Sequence, residues 1–165
     1  MSGEQRLEDR NSMGKEIEIK FCDPRAEERG PPTFATRGAG GIDLRSCDNA
    51  MLHPGETQAF PTGCSIYIKD PSLCAFIMPR SGLGIKGILP ANVLGLIDSD
   101  YQGELIVHLK NHSNEDYLIS NGDRIAQLVF MAIENIEFKP VTEFSESTDR
   151  GEGGFGSTGK GWGEL

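Results

Sequence analysis

Long apolar runs, helical stripes, paired cysteines and an excess of positive charge are all missing from this 165-residue chain. No apolar stretch reaches the roughly 20 residues that a bilayer crossing needs, and no basic start precedes an apolar segment as in a secretory leader. A soluble, intracellular, cytoplasmic protein is therefore expected, with a nuclear or viral origin left open. Cys22, Cys47, Cys64 and Cys74 show no C-x-x-C spacing and stand among apolar neighbours. Free thiols packed as small core residues are expected over a disulfide framework. His53, His108 and His112 are equally scattered, and no metal-ligand spacing emerges. Acidic side chains number 25 against 16 basic ones, a formal net charge of -9. That field repels a polyanion, which argues against duplex nucleic acid as a main partner. A small phosphorylated ligand is still compatible, because a few Arg side chains and backbone N–H groups can hold one locally. Aromatic residues make up only 7% of the chain, so the core must rest on Ile, Val, Leu and Ala.

What is present is a series of short apolar segments separated by turn residues. "IEIKF" (17–21), "GIDLRS" (41–46), "CSIYIKD" (64–70), "LCAFIMP" (73–79), "ELIVHLKN" (104–111) and "RIAQLVFMAI" (124–133) each fit a strand. "HPGET", "FPTG" and "SNGD" separate them at intervals typical of an all-β sandwich or barrel. The one helical candidate is a short turn after Arg80, in "SGLGIKG". The polar start, residues 1–15, reads as an unpacked segment, residues 16–144 as one β domain, and residues 145–165 as a glycine-rich arm.

Several segments carry polar groups suited to chemistry. In "MPRSGLGIKG" (78–87), Arg80 precedes Ser81 and Gly82 at a strand-to-turn junction, where Ser81 can cap the turn and free N–H groups favour an anion. The plain alternative is a capped turn that closes a strand. "NVLGLIDSDYQGELIV" (92–107) reads as a β-hairpin, with Asp98 expected partly buried at the end of "LGLI" and so a candidate general base. Its functional reading is a pocket floor whose main-chain groups pair with a planar base; Asp98, Asp100 and Tyr101 also suit ordinary turn chemistry. Asp43 sits inside an apolar strand, and Asp123 and Arg124 precede Gln127 at another strand start, where the two charges can simply pair with each other.

The tail "RGEGGFGSTGKGW" (150–162) nearly spells a Walker A loop, but Gly161 follows Lys160 where Ser or Thr is required, and too little chain remains for a helix. Two readings stay open on residues alone. One is a disordered glycine-rich tail; the other is a lid, with Arg150, Phe155, Gly156, Ser157 and Thr158 ordering around an anionic, flat-faced ligand.

Taken in order, "GGIDLRS", "PRSGLG", "GLIDSDYQGE", "GDRIAQLVF" and "RGEGGFGSTG" resemble the five motifs of the trimeric deoxyuridine triphosphatases, the dUTPases. The likeness covers nearly all of residues 17–160. It implies a distorted jelly-roll β-barrel of β-clip type with one short helix and a flexible C-terminal arm. It also implies a homotrimer whose active sites are shared between subunits. The implied reaction is dUTP plus water giving dUMP and pyrophosphate, which lowers dUTP, prevents uracil incorporation in DNA and supplies dUMP for dTTP synthesis. Mg²⁺ is the implied cofactor, held mainly through the triphosphate and waters, with no protein ligands assigned. By the same resemblance, Asp98 activates the attacking water and Tyr101 packs on the deoxyribose, leaving no room for a 2′-hydroxyl. Asn92 and the backbone of Leu96, Ile97 and Ile106 read uracil. Arg80, Ser81, Gly82 and Gln127 bind phosphate, and Arg150, Phe155, Gly156, Ser157 and Thr158 form the closing arm, with Phe155 stacked on the base. Two rival readings are a dUTP-binding regulatory protein and a related dCTP deaminase or bifunctional enzyme.

Overall fold

The alternating segments become antiparallel strands in the computed structural model, which describes residues 14–154. In chain order they are β1 (Glu18–Phe21), β2 (Ile42–Arg45), β3 (Ala50–Leu52), β4 (Thr57–Tyr67), β5 (Leu73–Met78), β6 (Ile88–Pro90), β7 (Gly95–Ile97), β8 (Glu104–Asn111), β9 (Tyr117–Ile119) and β10 (Arg124–Ala132). Two short helices accompany them, α1 (Pro24–Arg29) and α2 (Ser81–Gly84). One sheet runs in the order β1-β4-β8-β6, a second in the order β2-β10-β5-β7, and β3 pairs with β9 in a two-stranded ribbon.

β8 shows how the sequence produces this arrangement. Leu105, Val107, Leu109 and Asn111 point inward, while Ile106 and His108 between them are exposed. Side chains of the first sheet (Phe60, Ile66, Leu105, Val107, Leu109) meet those of the second (Leu44, Ala75, Ile77, Ile125, Leu128) in one cluster, which Leu52 and Ile119 of the ribbon complete. Two sheets sharing an apolar interior make a sandwich, and each large side chain so buried contributes about 1.5–3 kcal/mol. The buried amide of Asn111 is fully engaged. Its Nδ2 donates to Leu52 O (2.9 Å) and Glu115 O (2.7 Å), and its Oδ1 accepts from Ser113 N (2.9 Å) and Ser113 Oγ (2.7 Å). Such complete pairing is the condition for a polar group at this depth.

Three expectations change. "FPTG" does not separate strands; it lies inside β4, where the register with β8 shifts between Pro61 and Ser65. The bulge accommodates the missing Pro N–H, and Gly63 takes φ 73 there, with Cys47 Sγ only 2.8 Å from where a Cβ would stand. The expected single helix, found at α2, is joined by α1. Asp23 caps α1 by accepting from Arg25 N (2.8 Å), and Pro24 opens its first turn, a start signal carried by a segment too short for periodicity. Finally, β7 and β8 do not pair as a hairpin: β7 joins β5 in the second sheet, and β8 lies between β4 and β6 in the first.

The chain divides into two units, Met1–Glu134 and Asn135–Leu165, and every strand and helix named above belongs to the first. In the second, two turns end the described residues, Gly151 N donating to Thr148 O (3.0 Å) and Gly153 N to Arg150 O (2.9 Å). Among the described residues, no helix is long and apolar enough to cross a membrane.

Candidate functional site

The parting of β7 from β8 opens a cavity of about 340 Å³, lined by Ile77, Ala91, Asn92, Gly95, Ile106, Val107 and His108. β7 is an edge strand, bonded to β5 through the registers Ala75↔Ile97, Phe76↔Leu96 and Ile77↔Gly95. An edge strand presents N–H and C=O groups that the sheet does not use. Leu96 is exposed and Ile97 half-buried, so what this strand can offer a flat ligand is main chain. Asn92 stands on the tight turn from β6 to β7, held by Val93 N donating to Pro90 O (2.9 Å) and Leu94 N to Asn92 O (2.6 Å). Val93 adopts φ 62 in that turn. A β-branched residue in the left-handed region costs on the order of 1–2 kcal/mol, a local strain placed at the cavity's lip.

Asp98, Ser99, Asp100, Tyr101, Gln102 and Gly103 form the crossing from β7 to β8. Asp98 is exposed, contrary to the partial burial expected of it, because the crossing leaves the second sheet before re-entering the first. Its carbonyl accepts from Tyr101 N (3.2 Å), and Ser99 O accepts from Lys69 N (3.0 Å), which anchors the loop to the end of β4. The Tyr101 hydroxyl donates to Glu104 O (3.0 Å) and folds the ring over Gln102 and Gly103.

A second group assembles where β2, β5 and β10 lie side by side. Gln127, half-buried, is in register with both Asp43 and Met78. Asp43, with 12% of its side chain exposed, lies between two guanidinium groups, 2.9 Å from Arg80 Nε and 3.3 Å from Arg124 Nη1. Asp123 is not the partner of Arg124; its carboxylate accepts from Ser120 N (2.8 Å) across the "SNGD" turn. Arg80 Nη1 also donates to Arg124 O (3.2 Å). The Asp43 Oδ1–Arg80 Nε approach is an ion-pair distance, yet neither atom completes a hydrogen bond. The contact is thus coulombic, and it holds the guanidinium without saturating it. Arg80 itself is the N-cap of α2, and no side chain caps the helix. Ser81 is therefore the first helical residue, which corrects its expected capping role. Ser81 and Gly82 are exposed where the N–H groups of a helix start lack intrahelical partners.

These groups are separate: the cavity lining contains Asn92 and Ile106 but none of Leu96, Ile97, Asp98, Arg80, Ser81, Gly82, Tyr101 or Gln127. Arg150 lies in the second unit, its Nε donating to Gly153 O (3.0 Å). Phe155, Gly156, Ser157 and Thr158 fall outside the described residues.

All four cysteines are free; Cys47, Cys64 and Cys74 are buried and Cys22 is exposed, unlike the core position expected of it. Burial pushes the Cys64 thiol up to about 11 and raises that of Cys47, although Arg29 Nη2 sits 3.0 Å from the Cys47 sulfur. Among the described residues, no group of three or more His, Cys, Asp or Glu side chains is placed to hold a metal ion. Two residues outside the predicted site set support it, Glu104, which sequence reasoning passed over, and Asp43, which it noted without giving it a role. Glu104 Oε1 accepts from Gly63 N (2.8 Å), and Asp43 orients Arg80. Nothing local marks Glu104; Asp43 was visible as a charge inside an apolar strand.

A family model described as dUTPase matches residues 29–159. The deoxyuridine 5'-triphosphate nucleotidohydrolase of Klebsiella pneumoniae (strain 342) is 51% identical over 152 residues, covering 90% of this chain and 99% of its own. That of Citrobacter koseri is 52% identical with the same coverage. Among solved structures, the Staphylococcus bacteriophage 80alpha dUTPase with dUPNHPP superimposes with a TM-score of 0.77 at 26% identity, over 89% of this chain and 100% of the phage protein. The jelly-roll fold expected from the motifs is the fold shared with these structures.

Proposed function

From the premise that this chain belongs to the dUTPase family and hydrolyses dUTP, we propose how its residues divide the work. The uracil enters the cavity between β7 and β8 and pairs with the free main-chain edge at Leu96 and Ile97, with Asn92 and Ile106 at its sides. A pocket of fixed donors and acceptors rejects cytosine by mismatch, and a narrow one rejects thymine's methyl. Tyr101 lies against the deoxyribose. The single observation that carries this reading is the splaying of β7 from β8, which leaves an unpaired strand edge beside a cavity large enough for a base.

Asp98 takes a proton from a water molecule as that water attacks the α-phosphorus. An O–P bond forms, the bond from the α-phosphorus to the bridging oxygen breaks, and pyrophosphate leaves with the electron pair. The exposure of Asp98 suits this role, since its carboxylate meets solvent water directly. Arg80, the amides of Ser81 and Gly82, and Gln127 oppose the charge of the departing phosphates, and the arm of Arg150, Phe155, Gly156, Ser157 and Thr158 closes over the nucleotide.

The donor set fits a cation carried by the substrate. Asp43, the carboxylate nearest the phosphate-binding group, is already engaged by two guanidinium groups. Mg²⁺ prefers phosphate oxygens and retained waters to an all-protein cage, and it would supply neutralisation of the triphosphate. A site shared in a homotrimer is supported by the separation of the cavity from the Arg80 group, because a second copy can bring its own Arg80 turn to the first copy's base pocket. We assign residues 16–144 to the catalytic body and 145–165 to the arm, in a soluble cytoplasmic protein that lowers dUTP and supplies dUMP. Pyrophosphate release measured side by side with dUTP, dTTP, dCTP and UTP tests the base pocket. Turnover confined to dUTP is expected; comparable cleavage of dTTP or dCTP, or ammonia release from dCTP, would refute it.

A further inference from the structure

Tyr101 is held in a way that makes its neighbours responsible for its placement. Its hydroxyl donates to Glu104 O (3.0 Å), so the ring lies back across the two intervening residues. Gly103 lies directly beneath it. A Cβ built there would stand 2.6 Å from Tyr101 Cζ and 3.0 Å from Cε2, and nearer still to the hydroxyl oxygen. Gly103 does not adopt a positive φ, so its backbone is open to any residue. Space for the ring alone demands glycine.

The other end of the clamp is equally fixed. The carbonyl that receives the hydroxyl belongs to Glu104, the first residue of β8, and that residue's own carboxylate accepts from Gly63 N (2.8 Å). Gly63 lies within the bulge of β4, between Pro61 and Ser65, where the ladder to β8 breaks. The Glu104 side chain thus occupies a main-chain donor that the irregular ladder leaves over, and it ties the start of β8 to β4. The bulge, Glu104 and Gly103 form one support beneath one aromatic ring.

We propose that Gly103 and Glu104 are positioning residues for sugar discrimination: they seat Tyr101 against the deoxyribose and so set the preference for dUTP over UTP. The inference rests on the reading of Tyr101 given above. A ring displaced by even part of an ångström no longer fills the space a 2′-hydroxyl would need. Steric rejection of this kind is worth on the order of ten- to a hundredfold.

The test compares kcat/KM for dUTP and UTP in Gly103→Ala, Glu104→Ala, Glu104→Gln, Tyr101→Ala and the double variant Gly103→Ala/Tyr101→Ala, with thermal melting of each. The ratio of dUTP to UTP is expected to fall about tenfold or more in Gly103→Ala, mainly through a higher UTP value. Tyr101→Ala should lose at least as much, and Gly103→Ala should add nothing in its background. Glu104→Ala should lower the ratio, and Glu104→Gln, which keeps an acceptor for Gly63 N, should restore most of it. A merely structural role would lower melting temperature in all variants without moving the ratio. If Tyr101→Ala lowers the ratio while folded Gly103→Ala does not, the positioning role is wrong and the Tyr101 reading survives. Should Gly103→Ala not fold, an unchanged ratio in Glu104→Ala overturns the role on its own. If Tyr101→Ala leaves the ratio intact, the sugar-packing reading itself falls.

Discussion

Replacing Asp43 by Asn keeps the size of the side chain and removes the charge that two arginines share. Asp43 is 12% exposed, Arg80 24% and Arg124 45%, so the triad is neither a surface pair nor a fully buried one. Breaking a buried pair costs about 3–5 kcal/mol, whereas an exposed one contributes about 0–1 kcal/mol. Arg124 lies near the exposed limit and contributes little. The Arg80 contact is close but lacks hydrogen-bond geometry, which places the loss from Asp43→Asn at roughly 2 kcal/mol. In a domain of this size that corresponds to a melting temperature lower by about 4–8 °C. Among the described residues Arg80 then keeps the Arg124 carbonyl as its one tether, and its guanidinium is free to swing. With Arg80 in its proposed phosphate-binding role, such misdirection should reduce kcat/KM for dUTP by about 10- to 100-fold. Thermal unfolding and initial rates of pyrophosphate release, measured on the same preparation, supply both numbers. A variant that loses the expected stability yet turns over dUTP within twofold of the parent would show that Asp43 is structural cement and does not aim Arg80.

Other outcomes follow from the same geometry. In the native protein a bulky disulfide reagent should modify Cys22 rapidly and leave Cys47, Cys64 and Cys74 untouched until denaturant is added, since those three are buried and burial pushes the Cys64 thiol up to about 11; rapid reaction of a second thiol would contradict this. His53 Nδ1 lies 2.8 Å from Asp116 Oδ1, and that carboxylate raises the histidine above its ordinary value. The pair's stabilisation is complete below the unfolded histidine's value, about 6.5, and is lost as pH rises through the higher folded value. An NMR titration of His53 should show a raised midpoint that Asp116→Asn returns toward normal, and an unmoved midpoint would refute the pairing. Removing residues 150–165 should leave the melting temperature within a few degrees, because every strand among the described residues lies in the other unit, while turnover falls on the order of a hundredfold or more. Full activity in the truncated protein would remove the arm from the mechanism.

How far these features could be read from residues alone depended on their length. β8 and β10 announced themselves by their Ile, Val and Leu content; β8 then buries alternate residues, whereas β10 buries Ile125 and Ala126 side by side. β3, β6, β7 and β9 have three residues each, too few to display a period of two. Pro61 misled for a physical reason: a proline usually ends a strand, and only the bulge beside Gly63 lets β4 continue through it. The "NVLGLIDSDYQGELIV" segment has all the marks of a hairpin, two apolar arms around a turn-rich centre. What no local pattern reveals is that each arm prefers a different sheet, since that choice is made by β5 and β4, which lie far away in sequence. The base pocket proposed here owes its existence to that choice. Asp98 was placed correctly on the loop and wrongly in burial, because the strand end that seemed to carry it inward is a sheet edge.

Single-turnover release of pyrophosphate from dUTP by an Asp98→Asn variant, paired with its dUTP affinity by equilibrium binding, bears most directly on the proposed chemistry. The loop conformation depends on the Asp98 carbonyl and on Tyr101, so the substitution keeps the shape and removes the proton acceptor. Binding within a few-fold of the parent, with the chemical step slowed by about 10²–10⁴-fold, is the expected result. An unchanged chemical step would contradict the assignment of Asp98 as the group that activates water.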